Sequence, residues 1–258
     1  MRIRSAAAVA CVVAAALAGA CGGGDPGGGA DAPGRDGVTV FAAASLTGAF
    51  RELAAAFERR HPGRPVTLNL AGSQVLAGQI LQGAPADVFA SADSVQMRRV
   101  ARAGLVEGSP RIFAVNELVI AVSAGNPLEI RGPADLARDG VVTVLAAPGV
   151  PAGRYARRAL DAAGVDPRPA SLETDVKQVL AKVALGEADA GVVYRTDVLA
   201  AGDRVEAVPL AAGREVAPRY LAAHLRDAPR PDAAGAFVDF LLSPAGREVL
   251  AAHGFGAP

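Results

Sequence analysis

The chain has few aromatic residues and almost no thiols. Its 258 residues include two cysteines, three histidines and no tryptophan, and aromatic residues make up 4%. Two cysteines cannot build a disulfide framework or a zinc cage. So few aromatic rings argue against a stacking platform for single-stranded nucleic acid. The 26 basic residues balance 26 acidic ones, so bulk charge favours neither nucleic acid nor an anionic membrane as a partner.

The N-terminal segment has the pattern of an export signal. Arg2 and Arg4 precede an apolar run from 6 to 20, which is too short to span a bilayer as a stable helix. The run ends in small residues before Cys21, which resembles the bacterial lipobox. We therefore predict a lipoprotein signal peptide over 1–20 and lipidation of Cys21. An ordinary signal peptide with a chance cysteine is the alternative.

A glycine- and proline-rich segment follows this cysteine. Residues 21–37 cannot bury a core, because they contain almost no large apolar side chain. We interpret them as a tether that separates a folded domain from a lipid anchor.

From Val38 onward, short apolar segments alternate with helical periodicity, which predicts an α/β fold. With hydrophobic residues at 51%, the chain can bury a sizeable core. Predicted strands cover 38–42, 66–70, 87–90, 117–122, 141–145 and 191–194. Predicted helices cover about 46–60, 73–82, 151–163, 175–185 and 232–242, with a short one from 244. The pattern predicts parallel strands with helices on both faces, in two α/β units of which the second interrupts the first.

Four loops between an extended segment and a helix are candidates for a ligand site. They cover 42–47, 71–74, 150–153 and 174–177. Ligands of open α/β sheets lie beyond the carboxyl ends of the strands, and each helix start offers unpaired N–H groups and a positive dipole end. This favours an anion held by neutral donors. Ser45, Ser73 and Asp175 could equally be ordinary N-caps, and we expect Asp175 only to cap, leaving the N–H of Val176 as the candidate.

Four segments together resemble the periplasmic or lipid-anchored molybdate-binding proteins of ABC transporters. They are Phe41–Thr47, Gly83–Asp93, Val150–Gly153 and Gly191–Tyr194. The resemblance implies a two-lobe periplasmic binding protein-like type II fold that holds tetrahedral molybdate or tungstate in a cleft between the lobes. It implies two serine hydroxyls, an alanine amide, a valine amide and a tyrosine hydroxyl as ligand donors. At the matching positions these are Ser45, Ser73, Ala152, Val176 and Tyr194.

The resemblance also implies the organisation and role of the chain. We expect lobe one over 38–115 plus 220–258 and lobe two over 116–219, joined by two crossings that act as a hinge. The implied role is an extracytoplasmic substrate-binding lipoprotein that delivers molybdate or tungstate to an ABC transporter permease. No catalysis and no cofactor are implied, and molybdenum enters only as the bound oxyanion. We expect a monomer that meets the membrane through its lipid anchor alone and binds no nucleic acid.

Two alternatives remain open. The same loops could bind another tetrahedral oxyanion, such as sulfate or phosphate, because only ligand size separates these anions. A hydrolase could use Ser45 or Ser73 as a nucleophile, but His61, His224 and His253 stand in no motif that would activate a serine. The carboxylates of the 87–93 segment are better explained as a strand end and a helix cap than as a catalytic pair.

Overall fold

The computed structural model describes residues 37–210 and 217–258, which form ten strands and eight α-helices. The predicted signal peptide, Cys21 and nearly all of the tether lie outside the described residues. The strands are β1 (Val38–Ala43), β2 (Val66–Ala71), β3 (Val88–Ser91), β4 (Arg111–Val115), β5 (Leu118–Ser123), β6 (Thr143–Ala146), β7 (Ser171–Glu173), β8 (Ala190–Tyr194), β9 (Val205–Pro209) and β10 (Arg219–His224). The helices are α1 (Thr47–Arg60), α2 (Ser73–Leu81), α3 (Ser94–Arg102), α4 (Pro151–Ala162), α5 (Val176–Ala184), α6 (Arg195–Ala201), α7 (Pro231–Leu242) and α8 (Pro244–Ala252).

The strands form two five-stranded sheets, and each sheet is the centre of one lobe. The first sheet has the order β2-β1-β3-β10-β4 and the second the order β7-β6-β8-β5-β9. The chain passes from the first sheet to the second between β4 and β5, and returns between β9 and β10. The two crossings touch, because the N–H of Asn116 donates to the carbonyl of Pro218 at 2.9 Å.

Both sheets are mixed. The prediction of parallel strands was therefore wrong in each sheet, because one strand runs antiparallel to its neighbours. In the first sheet β10 runs antiparallel to β3 and β4, and in the second β5 runs antiparallel to β8 and β9. These two strands are the first after each crossing. A chain that leaves one lobe at the carboxyl end of a strand enters the other sheet at the edge where its parallel strands end. It must therefore run against them.

Each lobe has its own apolar core. In the first lobe, α1, α7 and α8 cover one face of the sheet, while α2 and α3 cover the other. Buried phenylalanines fill the first of these cores, and the ring of Phe57 lies 5.3 Å from that of Phe237. The second lobe is a single cluster of mostly aliphatic residues. The two lobes meet at Tyr194 and Tyr220, whose ring centroids are 5.9 Å apart.

Within the described ranges, no helix is both long enough and apolar enough to cross a membrane.

Candidate functional site

The four candidate loops meet at one small cavity between the lobes. Its walls come from both lobes and consist mostly of small residues, which allows close approach to the backbone. The lining residues are Ala43, Ala44, Ser45, Gly72, Ser73, Ala92, Val150, Pro151, Ala152, Asp175, Val176 and Tyr194. The cavity offers about 10 Å³ to the centre of a water-sized sphere, close to the smallest space that holds one water. The space between the two lobes is therefore small.

Ser45 lies in the single 3₁₀ turn, Ala44–Leu46, that joins β1 to α1, and it is buried. Its hydroxyl caps neither this turn nor α1, so the interpretation of Ser45 as an N-cap was wrong. The Ser45 Oγ instead accepts a hydrogen bond of 3.0 Å from the hydroxyl of Tyr220. Since an accepted bond leaves the serine proton unused, Ser45 keeps a donor for the cavity.

Ser73 is the first residue of α2, and the N-cap position belongs to Gly72. The Ser73 hydroxyl makes no capping bond but accepts the backbone N–H of Ala92 at 3.1 Å. Its proton, like that of Ser45, is left to point elsewhere. Both serines therefore line the cavity with a hydroxyl whose oxygen accepts a bond from the protein and whose proton remains available.

Ala152 and Val176 contribute backbone N–H groups at the starts of α4 and α5. Ala152 is the second residue of α4 and Val176 the first of α5, positions that have no acceptor within their helix. Asp175 caps α5 as expected, accepting the N–H groups of Lys177 and Gln178 and leaving that of Val176. At Gly153 the backbone runs so close to β6 that an added Cβ would overlap the carbonyl oxygens there.

Tyr194 ends β8 and carries the most unusual polar atom of the cavity. Only 1% of the residue is exposed, and its hydroxyl oxygen has no hydrogen-bond partner within the described chain. The hydroxyl is therefore shielded from bulk water in this structure. Burial, together with the nearby Tyr220 hydroxyl, raises the pKa of Tyr194 well above its usual range. The group therefore stays protonated as a donor at any physiological pH, and an unpaired buried donor needs an acceptor.

The two cations nearest the cavity are held by carboxylates. Lys177 follows Val176, and its ammonium lies 2.7 Å from a carboxylate oxygen of Asp197. Arg154 follows the start of α4, and its guanidinium pairs across the lobes with Asp93. Asp93 also caps α3 through the N–H of Gln96, which fits the predicted helix cap. The cavity thus has neutral donors on its walls and balanced charge pairs just behind them.

The remaining polar candidates of the sequence lie elsewhere. His61 stacks on the ring of Phe57, and His253 lies 2.9 Å from a carboxylate oxygen of Glu52. None of the three histidines lines the cavity, so no base stands beside either serine. Within 37–210 and 217–258 no group of three or more His, Cys, Asp or Glu side chains could hold a metal ion.

Sequence reasoning missed the residues directly behind the cavity. Tyr220 is not among the predicted site residues, yet its hydroxyl bonds Ser45. Asn116, in the first crossing, donates to the Tyr220 hydroxyl at 3.3 Å. The signal that could have found them is the rarity of tyrosine, since the chain has three and two meet between the lobes.

Known proteins with similar sequences and folds match nearly the whole chain. Residues 38–256 match the family model described as "Bacterial extracellular solute-binding protein". Over 241 residues the chain is 44% identical to the molybdate-binding protein ModA of Mycobacterium tuberculosis, covering 93% of this chain and 92% of the relative.

Two solved structures with low sequence identity to this chain have the same fold. The periplasmic molybdate-binding protein of Azotobacter vinelandii superposes with a TM-score of 0.72 at 22% identity, covering 86% of this chain and 99% of that protein. The sulfate-binding protein SubI of M. tuberculosis superposes with a TM-score of 0.75 at 19% identity, covering 85% and 86%. The same architecture thus carries different oxyanion specificities, and only the loops can set them.

With a family model matched over 38–256 and a relative 44% identical across almost its whole length, this chain belongs to the family of bacterial extracellular solute-binding proteins.

Proposed function

We propose that this protein captures molybdate, or its analogue tungstate, outside the cytoplasm and delivers it to the permease of an ABC transporter. The observation that carries the proposal is the buried hydroxyl of Tyr194, which faces a small cavity without a partner. A tetrahedral oxyanion between the lobes would give this donor an acceptor. The 44% identity to a molybdate-binding protein supports the same ligand.

The energetic balance suits a doubly charged anion. Three residues with hydroxyls and two with helix-start N–H groups line the cavity, and hydrogen bonds to a charged group contribute about 1.5–3 kcal/mol each. Several such bonds together offset much of the desolvation of a dianion. No unpaired cation is needed, which also allows the ligand to leave.

A single carboxylate among otherwise neutral lining residues disfavours a protonated anion. Asp175 is the one carboxylate on the cavity wall, and both of its oxygens already accept bonds, from backbone N–H groups and from the side-chain amide of Gln178. Phosphate near neutral pH carries a proton that would need such an acceptor. Sulfate, like molybdate, carries none, so the radius of the donor cage must separate these two.

Isothermal titration in one buffer with molybdate, tungstate, sulfate and phosphate tests the proposal. We expect tight binding of the first two, weaker binding of sulfate and none of phosphate. Ser73→Ala should weaken molybdate binding. Thr143→Val is the matched control, because it removes a buried hydroxyl that bonds the carbonyl of Leu136 away from the cavity. Failure of the wild type to bind molybdate or tungstate would overturn the proposal.

We also propose that Cys21 carries a lipid and that residues 21–37 form a tether. The basis is the sequence alone, with small residues before Cys21 and glycine-rich chain after it. Membrane fractionation and mass spectrometry of Cys21→Ser should find released protein or uncleaved precursor. Unchanged mass and membrane retention would contradict the anchor.

We further propose that residues 38–115 with 220–258 and residues 116–219 close around the anion as two bodies of a monomer. Contacts across the cleft, such as the side-chain amide of Gln74 on the carbonyl of Thr174 at 2.7 Å, would then form on closure. Small-angle scattering should give a smaller radius of gyration with molybdate than without, at the mass of one chain. An unchanged radius would contradict closure.

A further inference from the structure

A chain of hydrogen bonds runs from the first crossing to the cavity. The side-chain amide nitrogen of Asn116 donates to the hydroxyl of Tyr220 at 3.3 Å, and this hydroxyl donates to the Ser45 Oγ at 3.0 Å. The same amide nitrogen donates to the Thr196 Oγ1 at 2.9 Å, in the second lobe. All four side chains are buried. One hydrogen-bonded row therefore joins a crossing, both lobes and a wall of the cavity.

Asn116 fixes which groups donate and which accept along this row of hydrogen bonds. The Asn116 carbonyl oxygen accepts the N–H of Glu117 at 2.9 Å, so its NH₂ group faces Tyr220 and Thr196. Because an NH₂ group can only donate, the Tyr220 oxygen accepts from it, and the single Tyr220 proton goes to Ser45. The Ser45 oxygen is then an acceptor, and its own proton is left for the cavity.

We propose that Tyr220 and Asn116 are positioning residues, which turn the Ser45 hydroxyl into a donor directed at the bound oxyanion. The proposal rests on the proposed function, because it needs an anion in the cavity. Without the row, the Ser45 hydroxyl rotates freely, and part of its binding free energy is lost to ordering it. With the row, the hydroxyl is preorganised before the anion arrives. Tyr220 itself does not line the cavity, so it acts through Ser45.

Tyr220 also packs between three aromatic rings, and a purely structural role predicts a different result. Its ring lies 5.4 Å from that of Phe255 and 6.1 Å from that of Phe113. Tyr220→Phe keeps these contacts and removes only the hydroxyl. A structural role would lower affinity equally whether or not Ser45 is present, whereas a positioning role requires Ser45.

A double-mutant cycle separates the two roles. Molybdate affinity is measured by titration calorimetry for the wild type, Tyr220→Phe, Ser45→Ala and the double variant. Removing one such bond weakens binding by about fivefold, so we expect that loss for Tyr220→Phe alone and less than about twofold in the Ser45→Ala background. Equal losses in both backgrounds would overturn the proposal. Apo melting temperatures identify any variant whose fold is damaged.

Asn116→Asp tests the proton direction and serves if Tyr220→Phe fails to fold. It replaces the NH₂ donor by an acceptor, so the Tyr220 proton turns towards it and the Ser45 proton turns away from the cavity. We expect a loss of molybdate affinity that shrinks in the Ser45→Ala background. A loss of the same size in both backgrounds would mean only charge repulsion and would contradict the row. A wild type that binds neither molybdate nor tungstate would contradict the proposed function as well, whereas binding with additive losses would contradict the row alone.

Discussion

Replacing Tyr194 by phenylalanine should weaken molybdate binding without weakening the apo fold. The substitution keeps the ring, and with it the 5.9 Å contact to Tyr220, and removes one oxygen. If this hydroxyl donates to the anion, the loss should be that of a hydrogen bond to a charged group, about 1.5–3 kcal/mol or roughly 10- to 150-fold in Kd.

The apo protein should respond in the opposite direction. In the described structure the Tyr194 hydroxyl is buried and unpaired, and leaving a buried polar group unpaired costs about 1–3 kcal/mol. In an apo form with open lobes the hydroxyl would meet water instead, and its removal would cost the fold little. Removing the hydroxyl should therefore leave the apo melting temperature unchanged or slightly raised. Weaker binding with undiminished apo stability is the signature of a ligand donor.

Thermal shifts with ligand make the test quantitative. At a molybdate concentration of about 1,000 times the wild-type Kd, binding stabilises the wild type by about 4.1 kcal/mol, and a variant weakened about 30-fold keeps about 2 kcal/mol. Thr143→Val should behave in the reverse way, with lower apo stability and unchanged affinity, because its hydroxyl bonds a carbonyl in the second-lobe core. Wild-type affinity in Tyr194→Phe would remove Tyr194 from the site.

Three further changes test the surroundings of the cavity. Gly153→Ala should abolish or strongly weaken binding by calorimetry, because its Cβ would overlap backbone carbonyls and displace the start of α4. The double variant Arg154→Ala with Asp93→Asn should keep molybdate affinity within about tenfold of the wild type, or about 1.4 kcal/mol, since neither side chain lines the cavity. The single variant Arg154→Ala should bind molybdate more weakly than the double variant, because it leaves the buried Asp93 carboxylate without its ion pair. Burial raises the pKa of both Tyr194 and Tyr220 above the ordinary value of 10.0, so the folded state favours the protonated phenols. The free energy of unfolding, measured by denaturant titration, should therefore be independent of these two groups below pH 10 and decline above it. Tyr220→Phe should flatten that decline, and an unchanged alkaline profile would contradict the assigned direction.

Elements with strong local signals were predicted well. The strand at Val38, the helix over α1 and the helix starts at Ser73 and Pro151 lie within a residue or so of their predicted positions. Their signals are apolar runs, helical periodicity, and glycine or proline at the ends, all of which act over a few residues. The loops between these elements could therefore be located, and with them the walls of the cavity.

Elements defined by distant partners were missed. The predicted set omits β4, β7, β9 and β10, and the helices α3 and α6. Strand β7 has three residues and is held by its pairing with β6. Strand β10 is fixed by β3 and β4, which precede it by more than a hundred residues in the chain. Such strands exist because a sheet edge is available to them, and no local pattern encodes that edge.

The difference between local signals and distant partners also explains which site residues could be predicted from the sequence. Ser45, Ser73 and Tyr194 stand at the ends of strands or the starts of helices, where local signals mark them. What makes the serines donors lies far away in the sequence, at the N–H of Ala92 for Ser73 and at Tyr220 for Ser45. Hydrogen-bond direction depends on partners that only the folded chain brings together.

The arrangement of charge around the cavity bears on selectivity as well as affinity. A cation in direct contact would attract every anion of the same charge, because Coulomb attraction depends on charge and distance and not on the shape of the anion. Hydroxyl and N–H donors fixed on strand ends and helix starts respond instead to the radius of the anion and to any proton that it carries. Lys177 and Arg154 lie within two residues of the amides at Val176 and Ala152, and each is held by a carboxylate. Those carboxylates therefore let neutral donors decide which oxyanion the protein keeps.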